Sequence, residues 1–251
     1  MKKFTIFLTI FSLYLICSCG QKKPNVKVSE GKIIKKKSVI KKEIESEQRH
    51  YFDSTFVVNK QTFKFIINDI NEEEITLTFF RNTEKIKVDT IQSGGLGGVE
   101  FVDFNKDKNI DILLTYIGNN PSYDLYLFDK SENKYKFLDG YNRFSEAKQL
   151  KANPKYYFSY QRAGCADMNW VSDLFYIDNY KTVHVGHIYG QGCTPDEKEN
   201  PLEIEIYKIY KNDDVNKTLI EKLPYTKNIP KFDQKWMFIE KYWNKNYGKF
   251  N

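Results

Sequence analysis

The chain is missing most of the short signatures that mark enzymes. It holds no glycine-rich phosphate loop ending in Lys-Ser/Thr, no G-x-S-x-G elbow and no H-E-x-x-H helix. Its richest glycine stretch, "SGGLGG" (93–98), leads into a strand pattern where phosphate cradles lead into a helix, so it reads as tight turns and close backbone approach. Histidine is scarce, with 3 in all. His184 and His187 lie close in sequence, but residues three apart on a regular strand point to opposite faces, which excludes a shared zinc ion. Nor is there a basic surface on the main body of the chain. The net charge of +6 comes from Lys2 and Lys3 and from residues 20–50, where nine lysines and Arg49 face four glutamates; from Tyr51 onward the balance is about −2. A chain with that distribution is not a nucleic-acid binder. Asp and Glu are plentiful throughout, so a carboxylate pair for glycoside hydrolysis is the enzymatic reading that stays open.

What is present begins with an export signal. Lys2 and Lys3 precede an apolar run over residues 4–16 that is too short for a membrane span of roughly 20 residues. The segment "ICSC" resembles a bacterial lipobox, which implies cleavage before Cys19 and a lipid on that cysteine, making residues 1–18 a lipoprotein signal peptide. Residues 19–50 are rich in lysine, poor in aromatics and without sustained periodicity, the composition of a tether that cannot bury enough surface to fold. Its lysines also suit anionic head groups. Residues 51–251 form a single β-rich domain.

With 18 Tyr and 19 Phe, and Ile, Val and Thr in short alternating runs, this domain has the composition of pleated, half-buried strands. The runs "EITLTFF", "EKIKVDTI", "VEFVDF", "DILLTYI", "YDLYLFD" and "KYKFL" are separated by polar turns, and strands resume with "SDLFYID", "KTVHVGHI" and "LEIEIYKIYK" after a turn of helix near residues 144–156. The expected fold is all-β, an antiparallel meander that is propeller-like or else a β-sandwich. A short C-terminal helix is predicted in residues 232–249, with Asp233 as its cap, Gly248 at its end and Trp236, Ile239, Tyr242 and Trp243 on its buried face.

Between two of these strands stands "VDFNKDKNID" (102–111). Asp103, Asn105, Asp107 and Asp111, with the backbone carbonyl of Asn109, fall at positions 1, 3, 5, 9 and 7 of a loop. That set suits calcium, which takes several oxygens at about 2.3–2.6 Å. Leu114 stands where an EF-hand carries its closing glutamate, so the loop is not an EF-hand. Lys108 occupies the left-handed position usually given to glycine. The loop either holds calcium or is stiffened by Asx-type hydrogen bonds alone.

The stretches "VEFVDFNKDKNIDILLTY", "YDLYLFDKSENKYKFL" and "LKANPKYYFSYQRAGCADMNWVSDLFYI" resemble, over about residues 95–190, exported bacterial proteins related to FG-GAP repeats, which include outer-membrane lipoproteins that act as immunity proteins against lysozyme-like effectors. The resemblance implies a propeller-like fold and a D-x-N-x-D-G-x-x-D calcium loop on Asp103, Asn105, Asp107 and Asp111, with Lys108 in place of its glycine.

Cys165 and Cys193 are the cysteines that remain once Cys17 is removed with the signal and Cys19 is lipidated. An even pair in an exported protein predicts a disulfide. Beside it, "RAGCADMNW" places Arg162, Asp167, Asn169 and Trp170 in a loop between strands. Such loops concentrate binding residues, and Trp and Arg anchor interfaces; the bland alternative is a self-satisfied loop over a buried Trp170. The expectation is an outer-membrane-anchored lipoprotein whose non-enzymatic, calcium-stiffened domain binds an envelope partner and, in the sharper form, inhibits a lysozyme-like peptidoglycan hydrolase. The rival is a cell-envelope hydrolase whose acid and base the sequence does not locate.

Overall fold

In the computed structural model, which describes residues 50–69, 71, 73–92, 94–194 and 202–251, the alternating runs are strands. The signal peptide, Cys19 and the tether up to Arg49 lie outside the described residues. The first sheet is an up-and-down meander of β1 His50–Val58, β2 Gln61–Asp69, β3 Glu74–Arg81 and β4 Glu84–Gln92. A second sheet repeats the pattern with β5 Leu96–Val102, β6 Asp111–Tyr116, β7 Ser122–Asp129 and β8 Lys134–Phe137. The third is wider. It runs β15-β14-β13-β12-β10-β9, with β9 Lys148–Gln149, β10 Tyr156–Phe158, β12 Asn169–Asp178, β13 Lys181–Gln191, β14 Glu203–Tyr210 and β15 Asp213–Pro224, and β11 Gln161–Arg162 pairs with β12. Every strand pairing is antiparallel. The protein is therefore all-β with a short C-terminal helix, and its first two sheets are four-stranded, blade-like meanders.

Three of the hairpins turn on two residues that both have positive φ: Asn59 and Lys60, Asn179 and Tyr180, Lys211 and Asn212. That geometry twists with the flanking strands, and it recurs here without glycine.

Period-two alternation decides how the sheets stack. On β7, Tyr126 and Phe128 point into the core shared with the first sheet, among Phe63, Phe65, Leu77 and Phe79, whereas Leu125 and Leu127 point the other way into a core with Tyr157 and Phe175 of the third sheet. The middle sheet is thus buried on both faces along β7. The far face of the third sheet, with Trp170, Leu174, Ile188, Ile204 and Ile206, is covered by the C-terminal helix.

That helix, α2, spans Lys235–Asn246, after α1 Tyr225–Asn228 and a 3-10 turn at Phe232–Gln234. Ile239, Tyr242 and Trp243 are buried as the periodicity predicts, and the Trp243 indole N–H donates to Ser172 Oγ at 2.8 Å. Gly186 makes this approach feasible, since a Cβ there would lie 2.7 Å from the Phe250 ring and 3.1 Å from Trp243. Four expectations are corrected. Trp236 is half exposed, because it stands at the edge of the apolar stripe and packs on Tyr160. Asp233 makes no side-chain cap, and Gly248 lies inside a further 3-10 turn, Tyr247–Phe250. The predicted helical turn near 144–156 is instead a 3-10 turn at Tyr141–Arg143 followed by β9 and β10.

Candidate functional site

The loop between β5 and β6 carries the five expected residues, with both Lys106 (φ 60°) and Lys108 (φ 70°) left-handed. Its acceptors are turned toward its own amides. Asp103 accepts the Lys108 N–H at 3.1 Å, Asn105 Oδ1 accepts the Asp107 N–H at 3.1 Å, and Asp107 Oδ1 accepts the Asn109 N–H at 2.8 Å. Asp111 is fully buried and staples the loop to β7, accepting the N–H groups of Phe104 at 3.0 Å and Phe128 at 2.9 Å. Burial pushes its carboxyl up to about 7. In kind this donor set suits a hard cation, with carboxylate, amide and carbonyl oxygens around two left-handed turns, but its three carboxylates are turned onto backbone N–H groups and do not converge on one point.

The 162–170 loop is pinned from several sides. Cys165 and Cys193 form a disulfide, with their Cα atoms 6.2 Å apart, that ties the entry of β12 to the end of β13. Cys165, Ala166 and Asp167 all have positive φ, and the Gly164 carbonyl accepts the N–H groups of Asp167 and Asn169. Of the four binding candidates, three face inward. Trp170 is completely buried against Gly190 and donates its indole N–H to Tyr225, so it is no surface anchor. Asn169 accepts the Cys193 N–H at 3.0 Å and braces the disulfide. Asp167 accepts from Tyr160 and pairs with Lys235 at 2.8 Å. Arg162 alone of the four is exposed, on a backbone held in both directions by the Asn120 amide.

The exposed groups around this loop are ones that sequence reasoning placed elsewhere or passed over. Met168, Phe232, Trp236 and Met237 are between 42% and 63% exposed. Behind the Phe232 and Trp236 rings lies Lys235, fully buried, its ammonium 3.8 Å from the Phe232 ring centre, 4.0 Å from Trp236 and 5.4 Å from Tyr160. The cleft beside Trp236, lined by Glu146, Lys148, Phe158, Tyr160, Ile239 and Glu240, measures about 60 Å³, far below a substrate pocket of roughly 300 Å³ or more.

The exclusion of a shared ligand role for His184 and His187 is overturned. The β12–β13 register jumps between Leu174↔Gly186 and Phe175↔His184, leaving Val185 as an extra residue. This β-bulge resets the alternation, so that both imidazoles reach the same side of the sheet. Asp173 Oδ1 lies 3.0 Å from His184 Nε2 and 2.7 Å from His187 Nδ1, while His184 Nδ1 lies 2.6 Å from Asp214. Burial favours neutral forms here, but the imidazoles hold the Asp173 carboxyl well below the usual range, and Asp173 and Asp214 push His184 up against the same burial. Among the described residues, Asp173, His184 and His187 form the one grouping of three acidic or histidine side chains close enough to share an ion.

No family model and no curated protein matches the chain. Among solved structures, a Xanthomonas type IV secretion system related protein is similar over 70% of this chain and 95% of its own, with 14% identity and a TM-score of 0.41.

Proposed function

We propose that this chain is an outer-membrane-anchored lipoprotein whose non-enzymatic β domain binds a protein in the cell envelope through the face around Trp236. The supporting observation is a set of exposed apolar side chains, Phe232 and Trp236 with their rings in contact, Met168 next to Asp167 and Met237 next along the helix, on segments tied down by the disulfide and the Asp167–Lys235 pair. Rigid aromatic and methionine surface costs little ordering entropy on association, and the neighbouring Arg162 supplies a polar anchor. The anchor rests on the lipobox at Cys19. The resemblance over about residues 95–190 makes the partner a lysozyme-like peptidoglycan hydrolase, with the chain as its inhibitor.

The test is a cell-wall turbidity assay in which purified protein is titrated against a lysozyme-like hydrolase, with binding measured in parallel by calorimetry. Inhibition is expected, and Trp236→Ala with Met237→Ala should weaken it at least tenfold when measured well below the melting midpoint of the double variant, which the lost Trp236 contacts with Tyr160 and Lys235 will lower. Parent-like binding by that double variant would remove this face from the interface. Release of muropeptides by the purified protein alone would replace the inhibitor with a hydrolase.

In the same reading, calcium is held by Asp103, Asn105, Asp107, Asp111 and the Asn109 carbonyl, and stiffens the loop between β5 and β6. Calcium at a hundred times its Kd should then stabilise the fold by about 2.7 kcal/mol. Asp103→Ala should abolish that gain, and Lys108→Gly should strengthen binding by relaxing the left-handed turn. Calorimetric melting that is flat up to ten-millimolar calcium would leave a loop held by its own hydrogen bonds.

A further inference from the structure

Independently of the partner-binding face, we infer that Asp173, His184 and His187 form a binding site for a transition metal ion of the zinc type. Three donor atoms from two adjacent strands converge: Asp173 Oδ1, His184 Nε2 and His187 Nδ1, with both imidazole nitrogens within 3.0 Å of the same carboxylate oxygen. Two imidazoles and one carboxylate are the donors zinc, copper and nickel prefer, whereas calcium and magnesium want oxygen cages. The bulge at Val185 is what makes the set possible, because a regular β13 would send one imidazole into the helix-side core.

The surroundings are those of a held ligand set. His184 presents Nε2 to the site while its Nδ1 meets Asp214, which pairs in turn with Arg143. A carboxylate behind a ligating imidazole fixes the ring and raises its basicity. The Gly186 carbonyl also lies 2.9 Å from His184 Nε2. Asp173 and His184 are buried, but the His187 side chain is 19% exposed, so the ion would be reached from that side and keep an open position there for water or an incoming donor. Metal binding takes the place of the hydrogens that the imidazoles direct at Asp173, with the remaining ring hydrogen of His184 on Nδ1 facing Asp214 and that of His187 on Nε2, and clamps β12 to β13 and, through Asp214, to β15.

The experiment uses tag-free full-length protein stripped with chelator. Zinc chloride at a hundredfold excess over Kd should raise the melting midpoint by roughly 5–10 °C, and calcium and magnesium chlorides should not reproduce the shift in variants lacking Asp103. One zinc per chain should survive gel filtration, and cobalt in its place should give visible d–d absorption. His187→Gln, a partly exposed position that leaves the fold intact, should weaken zinc binding by at least a hundredfold. Asp214→Asn should weaken it by about 10–100-fold. His50→Gln, the control for the remaining histidine, should change nothing. A melting midpoint indifferent to zinc, or a zinc shift that survives His187→Gln, would show that the three side chains are a hydrogen-bonded network and no metal site.

Discussion

Asp167→Ala is expected to destabilise the domain by about 3–5 kcal/mol, the usual cost of stripping a buried charge of its partner. For a domain of this size that is a fall of roughly 6–20 °C in melting midpoint. The charge is Lys235, which is fully buried. Its ammonium donates to the Asp167 main-chain carbonyl at 2.7 Å and pairs with the Asp167 carboxylate at 2.8 Å. Burial already draws the Lys235 pKa below its ordinary range against the pull of that carboxylate, so removing the carboxylate pushes in the same direction as desolvation. The Phe232 and Trp236 rings soften the loss without replacing the counter-charge, because a cation–π contact contributes only about 0.5–2 kcal/mol. Lys235→Met should behave differently. It fills similar volume with apolar atoms, and Asp167 keeps access to water, so the expected loss is below about 2 kcal/mol. Adding Lys235→Met to Asp167→Ala should then recover most of the stability. Calorimetric melting of the three variants decides it: if Lys235→Met is the more damaging single change, the buried-charge account of this loop is wrong.

Lys235 also shows where sequence reading stopped. On the amphipathic pattern of residues 232–249 a lysine belongs to the solvent face, and only tertiary structure, the left-handed run at 165–167 with Asp167 at its end, makes a polar socket for it. The strands were legible because alternation of Phe, Ile, Leu and Tyr with polar residues is set by the pleat itself and needs no tertiary knowledge. The loop at 103–111 was placed correctly for the same reason, since it lies between two such runs. The sequence leaves Trp170 open between an interface anchor and a buried residue because it does not show which side of β12 meets α2; once the sheet and helix are joined, its parity with Ser172 and Leu174 sends it into that core. The histidine pair was misread on the assumption of an unbroken period of two. A signal was available in "KTVHVGHI": a glycine inside a strand pattern often marks a bulge, and Gly186 sits beside this one.

Removing the Cys165–Cys193 disulfide should be the second large effect, and the two should be coupled. In the chain-entropy account, closing a loop of 28 residues contributes about 3–4 kcal/mol, so Cys165→Ala should lower the melting midpoint by roughly 6–16 °C. The folded state adds to this. Cys165, Ala166 and Asp167 are three successive non-glycine residues with φ of 53°, 49° and 70°, each costing roughly 1–2 kcal/mol relative to ordinary backbone. The disulfide, the Gly164 carbonyl and Lys235 together hold them there. Without the disulfide the run can relax, carrying Asp167 away from the ammonium and loosening the surface on which Met168 and Trp236 are displayed. Asp167→Ala should therefore cost less in the Cys165→Ala background than in the parent, by at least about 1 kcal/mol in a double-mutant cycle. Partner binding should weaken in the cysteine variant even at temperatures where the domain stays folded. Melting of the four proteins of the cycle, with thiol labelling of unfolded, unreduced parent to count free cysteines, tests both steps. Strict additivity would mean that the disulfide acts on the unfolded chain alone and that the socket for Lys235 stands without it.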